Sequence, residues 1–124
     1  MYDISAFIVL ILLFTLRRFF KEIMKIVVKA EELRLLVEKH KKDGKTIGFV
    51  PTMGALHQGH LSLVDQAAQL SDIVVVSVFV NPNQFNNADD LKNYPRTIDD
   101  DIVKLEGTAC QILYYPIFLL RKLI

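Results

Sequence analysis

An almost continuous apolar run at residues 73–80 (IVVVSVFV) constrains the fold of this 124-residue chain more than any other feature. A strand with apolar side chains on both sides must be covered on both faces, which is typical of a parallel sheet enclosed by helices. Residues 46–50 form a second short, β-rich stretch, and we expect Pro51 to end it because proline has no N–H for the sheet. Two further strands are predicted at 25–28 and 110–115.

Predicted helices alternate with these strands. Ala30–Lys42 has an apolar face and ends before Gly44, and residues 60–70 carry a similar apolar stripe. Thr97 is expected to cap a third helix, which Gly107 terminates. Acidic side chains in the first turn of that helix suit the positive end of its dipole, which is a sufficient structural reason for them. They are Asp99, Asp100 and Asp101. The alternation predicts an α/β fold, a Rossmann-like unit with a parallel sheet.

Length, charge and cysteine content bound the domain count and the partners. A chain of 124 residues is expected to form one domain and can bury a core. The formal net charge of +1 gives no reason to expect nucleic acid as a partner. Cys110 is the single cysteine, so an intrachain disulfide is excluded. This fits a reducing compartment, and we expect a cytoplasmic protein.

The first 23 residues contain an uncharged apolar stretch at 4–16, followed by Arg17, Arg18 and Lys21. As a helix this stretch would span about 20 Å, less than the roughly 30 Å hydrocarbon core of a bilayer. A signal peptide carries its positive charge before the apolar region, whereas here the basic residues follow it. Three interpretations stay open: membrane contact by residues 4–20, which is not favoured, an ordinary apolar helix, or an extension upstream of the functional protein.

A glycine-containing turn with the sequence PTMGALHQGH, residues 51–60, joins the second predicted strand to the next helix. Gly54 and Gly59 permit backbone geometry that side chains would block. Free N–H groups and the positive end of the helix dipole favour an anion at such a turn. His57 and His60 can add hydrogen bonds or, when protonated, charge. The turn indicates a nucleotide phosphate site, and the alternative is two surface histidines near a turn.

No metal site is predicted. Zinc at His57 and His60 would need further soft ligands, and the candidates His40 and Cys110 are not close in sequence. The acidic pair at 89–90 lies in a polar connection without further ligands at suitable spacing.

Three segments in order resemble one protein family. They are GFVPTMGALHQGHLSLV from Gly48, VVSVFVNPNQF from Val75 and DLKNYPRT from Asp90. Together they resemble pantothenate synthetase (pantoate–β-alanine ligase), which belongs to the nucleotidyltransferases with a HIGH-type turn. The resemblance covers roughly residues 24–116, the N-terminal part of the family's chain. It is specific, because three motifs occur in order at sensible spacing.

The resemblance implies a reaction: ATP-dependent condensation of (R)-pantoate with β-alanine to pantothenate, a step of coenzyme A biosynthesis. The pantoate carboxylate attacks the α-phosphorus of ATP, giving pantoyl adenylate and pyrophosphate, and the amine of β-alanine then displaces AMP. ATP is thus a substrate, accompanied by Mg²⁺ that is bound largely through the phosphates. The family tends to form homodimers.

The resemblance also assigns site residues. His60 and His57 are the expected catalytic residues, with His60 donating a proton or stabilising phosphate charge. In the family the glutamine matching Gln84 contacts pantoate, the asparagine matching Asn81 lies nearby, and Tyr94 matches a tyrosine near the site. Without the resemblance, a polar turn is the favoured explanation of residues 81–85. The predicted nucleotide-binding residues form one run: Thr52, Met53, Gly54, Ala55, Leu56, His57, Gln58, Gly59 and His60.

The two ends of the chain depart from the family. Its members begin at a position like Met24, so residues 1–23 are expected to be an apolar extension or the product of a misplaced start. Residues 24–116 would be an incomplete Rossmann-like nucleotide-binding domain, and residues 117–124 a divergent apolar-basic tail. Because relatives continue much further, we expect a truncated chain. A non-catalytic fragment from a disrupted gene and another HxGH nucleotidyltransferase are the alternative hypotheses.

Overall fold

The computed structural model describes residues 4–19, 23–80 and 97–116. In these ranges four helices and four strands alternate, beginning with a helix. The helices are α1 (Ile4–Phe19), α2 (Ala30–Lys42), α3 (Gln58–Leu70) and α4 (Ile98–Glu106), and the strands are β1 (Lys25–Val27), β2 (Ile47–Thr52), β3 (Ile73–Val78) and β4 (Ile112–Tyr114). The strands form one parallel sheet in the order β1-β4-β3-β2. The predicted α/β fold with a parallel sheet is confirmed.

Strand β3 lies inside the sheet, and all six of its residues are buried. Because side chains alternate along a strand, Val74 and Val76 enter one apolar cluster and Ile73 and Val75 enter another. The first cluster includes Val64 of α3 and residues of α4, and the second is packed by residues of α2. Each buried valine contributes about 1.5–3 kcal/mol relative to an exposed one. The continuous apolar run in the sequence therefore reflects a strand with helices on both faces.

The prediction that Pro51 ends the second strand is wrong, because β2 continues to Thr52. Strand β2 is at an edge of the described sheet and pairs only with β3. The carbonyls of Thr46 and Thr52 accept hydrogen bonds from the β3 segment, so the even-numbered positions face the partner strand. Pro51 is an odd-numbered position, and its missing N–H faces away from β3. A proline at such a place removes no hydrogen bond from the ladder.

The start of β2 is tied to the start of β3. Asp72 accepts from the amide of Thr46 at 2.9 Å and from its hydroxyl at 3.2 Å, and the Asp72 amide donates to the Thr46 hydroxyl at 3.0 Å. Gly48 of β2 lies so close to the end of α3 that a Cβ there would collide with Ser71 Oγ and lie 3.2 Å from the Ala67 Cβ. These contacts set the register of the strand that leads into the turn at 51–60.

Helices α2 and α4 have their predicted limits, and the boundaries of the other elements agree with prediction to within three residues. Helix α3 begins at Gln58, β3 ends at Val78 and the last strand is limited to Ile112–Tyr114. Helix α4 ends at Glu106, and Gly107 is its C-cap as predicted. The predicted substrate residues Asn81, Gln84 and Tyr94 and the tail at 117–124 lie outside the described residues.

Helix α1 confirms that the apolar N-terminal stretch forms a helix. Its side chains from Ile4 to Leu13 are exposed, including Ile4 at 73% and Phe7 at 64%. Within the described ranges, no helix combines the length and the apolar character needed to cross a bilayer.

Candidate active site

The turn predicted to bind nucleotide follows the carboxyl end of β2, beside the carboxyl end of β3, and opens into α3. Ligands of open parallel sheets bind at this edge. Two consecutive residues of the turn have left-handed backbone conformations, Gly54 with φ +84° and Ala55 with φ +51°. Glycine suits the first position, since a Cβ would lie 3.2 Å from Asp101 Oδ2 and from Val78 Cγ1. At Ala55 the conformation costs roughly 1–2 kcal/mol.

A carboxylate from α4 holds this strained turn. Asp101 Oδ2 accepts from the Ala55 amide at 3.0 Å, and Oδ1 accepts from the Leu56 amide at 2.9 Å. The Thr97 hydroxyl also donates to Asp101 Oδ2, at 3.3 Å. Asp101 is only 1% exposed. Hydrogen bonds to a charged group contribute about 1.5–3 kcal/mol each, which is enough to offset the strain at Ala55.

The helix dipole is therefore not a sufficient explanation of Asp101, although all three aspartates lie in the first turn of α4 and Asp99 and Asp100 are exposed. Thr97 is the N-cap residue as predicted, but its hydroxyl makes no capping hydrogen bond and donates to Asp101 instead. A signal was present in the sequence. Asp101 occupies the same helical stripe as the core residue Leu105, four positions later, where an apolar side chain is expected.

Lys104 of the same helix donates a hydrogen bond to a carbonyl of the turn. Its Nζ donates to the Leu56 carbonyl at 2.8 Å. Asp101 and Lys104 are three positions apart and so share one helical face. One helix thus supplies an acceptor for two amides of the turn and a donor for one of its carbonyls. Sequence reasoning missed Lys104 as well.

Two members of the predicted nucleotide-binding run point into the protein. Thr52 is buried, and its hydroxyl donates to the Ser77 carbonyl at 2.8 Å and accepts from the Gly54 amide at 3.2 Å. The Leu56 side chain is 2% exposed and belongs to the core. Both side chains support the turn from beneath. His57, Gln58 and Gly59 are exposed, whereas His60 is partly buried.

His57 and His60 close the start of α3. The Gly59 amide donates to His57 Nδ1 at 3.0 Å, and the His57 amide donates to His60 Nδ1 at 3.1 Å. The ring centroids are 4.1 Å apart, with the ring planes tilted by 47°. Because each Nδ1 accepts a hydrogen bond, each neutral ring carries its proton on Nε2. Among the described residues neither Nε2 has a partner, so the turn presents two adjacent N–H donors.

Burial lowers the pKa of His60, and the neighbouring His57 lowers it further, while the charge of Asp101 acts in the opposite direction. The neutral ring of His60 is therefore favoured near pH 7. This agrees with the acceptor role of its Nδ1.

The backbone amides of the turn are mostly engaged by the protein itself. The amides of Ala55 and Leu56 donate to Asp101. Three further amides, those of Gly54, His57 and Gly59, donate to side chains of the turn itself. The prediction that free N–H groups of the glycine loop point at a ligand is wrong for these five amides. The imidazole Nε2 atoms are the donors that the turn offers outward.

The profile of the family described as pantoate-beta-alanine ligase matches residues 25–118. The chain belongs to the pantoate-beta-alanine ligase family. The resemblance drawn from the sequence motifs is thereby confirmed. The matched range begins at β1 and includes every described strand, while α1 lies outside it.

Individual members of the ligase family support this assignment. Pantothenate synthetase of Vibrio atlanticus is 56% identical over 84 residues, covering 68% of this chain and 28% of the relative. Pantothenate synthetase of Flavobacterium psychrophilum is 51% identical over 92 residues, covering 74% of this chain and 33% of the relative. The chain thus spans about a third of the length of the curated relatives it matches.

Solved structures of the ligase family share the fold. The pantoate-beta-alanine ligase of Francisella tularensis, complexed with beta-gamma ATP and β-alanine, is 42% identical with a TM-score of 0.70. The match covers 75% of this chain and 35% of that one. Pantothenate synthetase of Thermus thermophilus is 41% identical with a TM-score of 0.67, covering 75% of this chain and 32% of that one.

Proposed function

We propose that this chain binds ATP at the turn between β2 and α3 and serves the ATP-dependent condensation of (R)-pantoate with β-alanine. The observation that carries the proposal is the pair of outward Nε2–H donors of His57 and His60, whose ring centroids are 4.1 Å apart. Phosphate oxygens are acceptors, and two pre-placed donors at a helix N-terminus complement them. The ATP analogue bound by the Francisella tularensis ligase is consistent with this proposal.

In the proposed reaction the pantoate carboxylate attacks the α-phosphorus of ATP, the bond to pyrophosphate breaks, and pantoyl adenylate forms. Negative charge builds on the phosphate oxygens during this step, and His57 and His60 stabilise it through Nε2–H. The amine of β-alanine then attacks the acyl carbon and displaces AMP. We assign proton donation or phosphate stabilisation to His60, since its ring is fixed by the His57 amide.

The other proposed contacts follow from position. Met53, Gly54, Ala55, Gln58 and Gly59 line the path of the nucleotide along the turn, with Thr52 and Leu56 supporting it from within. By family resemblance we assign pantoate to Gln84, with Asn81 and Tyr94 nearby.

Mg²⁺ would accompany ATP in this proposal. The turn offers imidazole nitrogens, whereas Mg²⁺ prefers oxygen ligands. The Asp101 carboxylate is buried and occupied by two amides, so it is a poor ligand for an incoming ion. The residues at the turn therefore fit a cation carried by the phosphates and not one held in a protein cage. A cytoplasmic location and homodimer formation stay predictions.

The test is pantoate-dependent exchange of labelled pyrophosphate into ATP by the purified chain. This measures only the first half-reaction and so makes the smallest demand on a chain of this length. His60→Ala should abolish exchange, whereas His40→Ala, which removes a histidine from α2, should retain it. A folded chain without exchange would contradict adenylation by this chain alone.

A second candidate function is nucleotide binding without turnover. It requires only the two phosphate donors at the turn, Nε2–H of His57 and His60, which the described residues supply. Equilibrium binding of ATP, lost in His60→Ala, together with absent pyrophosphate exchange would support this candidate over the ligase.

A further inference from the structure

Asp101 and the two histidines belong to different elements but meet at one turn. The Asp101 carboxylate accepts hydrogen bonds from the amides of Ala55 and Leu56. The residue after Leu56 is His57, the N-cap of α3. Nothing else described in the protein accepts from these two amides. The left-handed conformation of Ala55, with φ +51°, is therefore maintained from α4 and not by the turn itself.

We propose that Asp101 is a positioning residue of the active site: its buried carboxylate holds Ala55 and Leu56 so that His57 and His60 present their Nε2 atoms together. Lys104 completes the same arrangement by donating to the Leu56 carbonyl. The contact between the two histidines and a nucleotide rests on the proposed function. The positioning of the histidines by α4 does not depend on it.

The alternative is that Asp101 serves folding alone. Two observations favour a positioning role. Asp101 contacts none of the core strands in its described hydrogen bonds, and both of its backbone partners belong to the turn. A carboxylate is also expensive to bury, whereas an apolar residue would complete the α4 stripe without that penalty. The carboxylate offers a separate oxygen to each of the two amides.

The variant Asp101→Asn tests this directly, with Asp100→Asn as the matched control. Both substitutions remove one negative charge from the first turn of α4, but Asp100 is exposed. Asparagine has a single oxygen, so it can accept from one of the two amides and presents an N–H group to the other. Folding of both variants is checked by circular dichroism and by the dispersion of amide NMR signals.

The first readout is amide hydrogen exchange. In the wild type the Ala55 and Leu56 amides should exchange slowly, and in Asp101→Asn their exchange should accelerate by about tenfold or more. Asp100→Asn should match the wild type. Unprotected Ala55 and Leu56 amides in the wild type would overturn the proposal.

The second readout is the set of amide and imidazole NMR chemical shifts of residues 55–60, which loss of stability alone does not move. In Asp101→Asn these shifts should depart from values shared by the wild type and Asp100→Asn. A folded Asp101→Asn with unmoved shifts would overturn the proposal. If Asp101→Asn does not fold, Lys104→Met takes its place, since Lys104 is exposed. Unmoved signals in Lys104→Met would then overturn the proposal that side chains of α4 position the two histidines through Leu56.

ATP affinity connects the position to function. We expect Asp101→Asn to bind ATP about tenfold or more weakly, while Asp100→Asn binds like the wild type, because small displacements of positioned groups are costly. If the NMR signals of residues 55–60 change in Asp101→Asn but its ATP affinity does not, the proposal that Asp101 supports ligand binding is overturned. Failure of the wild type itself to bind ATP would contradict the proposed function. It would not affect the conclusion that Asp101 positions residues 55–60.

Discussion

His57 and His60 together cap the start of α3: the His57 amide donates to His60 Nδ1 at 3.1 Å, while His57 Nδ1 accepts from the Gly59 amide. The pair resembles a capping box in which imidazoles replace the usual hydroxyl and carboxamide. The arrangement requires both Nδ1 atoms to be unprotonated. It therefore couples the charge state of the turn to its geometry.

The first prediction concerns pH. Burial and the neighbouring His57 lower the pKa of His60 in the folded chain, so near and below pH 6.5 the unfolded chain binds more protons. The corresponding stability is fully present above about pH 6.5 and is lost as the pH falls through the folded pKa. Denaturant unfolding between pH 8 and pH 5 should show this decrease.

The control for the pH effect is His60→Gln, which keeps an acceptor at the N3 position but does not titrate. It should be within about 1 kcal/mol of the wild type at pH 8 and should have a flatter pH dependence between pH 7 and pH 5. An identical slope in the two proteins would show that His60 is not the titrating group.

Gly59→Ala should impair the site with little effect on folding. A Cβ at this position would lie 2.8 Å from His57 Cε1 and 3.0 Å from its Nδ1, so the exposed ring must move. Alanine is a better helix former than glycine by about 1 kcal/mol, which offsets part of the lost cap. We expect weaker ATP binding at nearly unchanged stability, and Gln66→Ala, an exposed change on the same helix, is the control. Unchanged ATP binding in Gly59→Ala would argue that the His57 ring does not contact the ligand.

Gly48→Ala should destabilise the fold by about 1–3 kcal/mol through overpacking of β2 against the end of α3. The new methyl group would collide with the Ser71 hydroxyl and press on Ala67. Thermal unfolding measures the loss. In the background of Ser71→Ala, which removes that hydroxyl, Gly48→Ala should cost less, and an equal cost in both backgrounds would mean that the collision is not with Ser71.

Asp72→Asn should lower stability near neutral pH. Hydrogen bonds from the backbone amide and the hydroxyl of Thr46 lower the pKa of the Asp72 carboxyl. For a lowered carboxyl pKa, the stabilisation is present above the unfolded value of about 3.9 and is lost as the pH falls through the folded pKa. Unfolding curves at pH 7 and pH 3 should therefore differ less for Asp72→Asn than for the wild type. Asp65→Asn, which removes an exposed carboxylate from α3, is the control.

Much of the fold could be predicted because it depends on patterns within short segments. The apolar run around Val75 required two covered faces, and the apolar face of Ala30–Lys42 required a helix, so both were found with good limits. The prediction that Pro51 ends the strand was wrong because the outcome depends on tertiary structure. Whether a proline interrupts a strand depends on whether its nitrogen faces a partner strand, and the sequence does not state which strand is at the edge.

The sequence by itself determined the family and the turn that carries His57 and His60, because those residues are contiguous and their spacing is preserved in the motif. Only the tertiary structure decided how the turn is held. Asp101 is more than forty positions from Ala55, and its role arises because α4 packs beside the carboxyl ends of β2 and β3. In charge and in its place in the first helical turn Asp101 matches Asp99 and Asp100, and in the sequence only its spacing to Leu105 distinguishes it. The three aspartates differ in the burial and the direction of their side chains, which are properties of the packed chain.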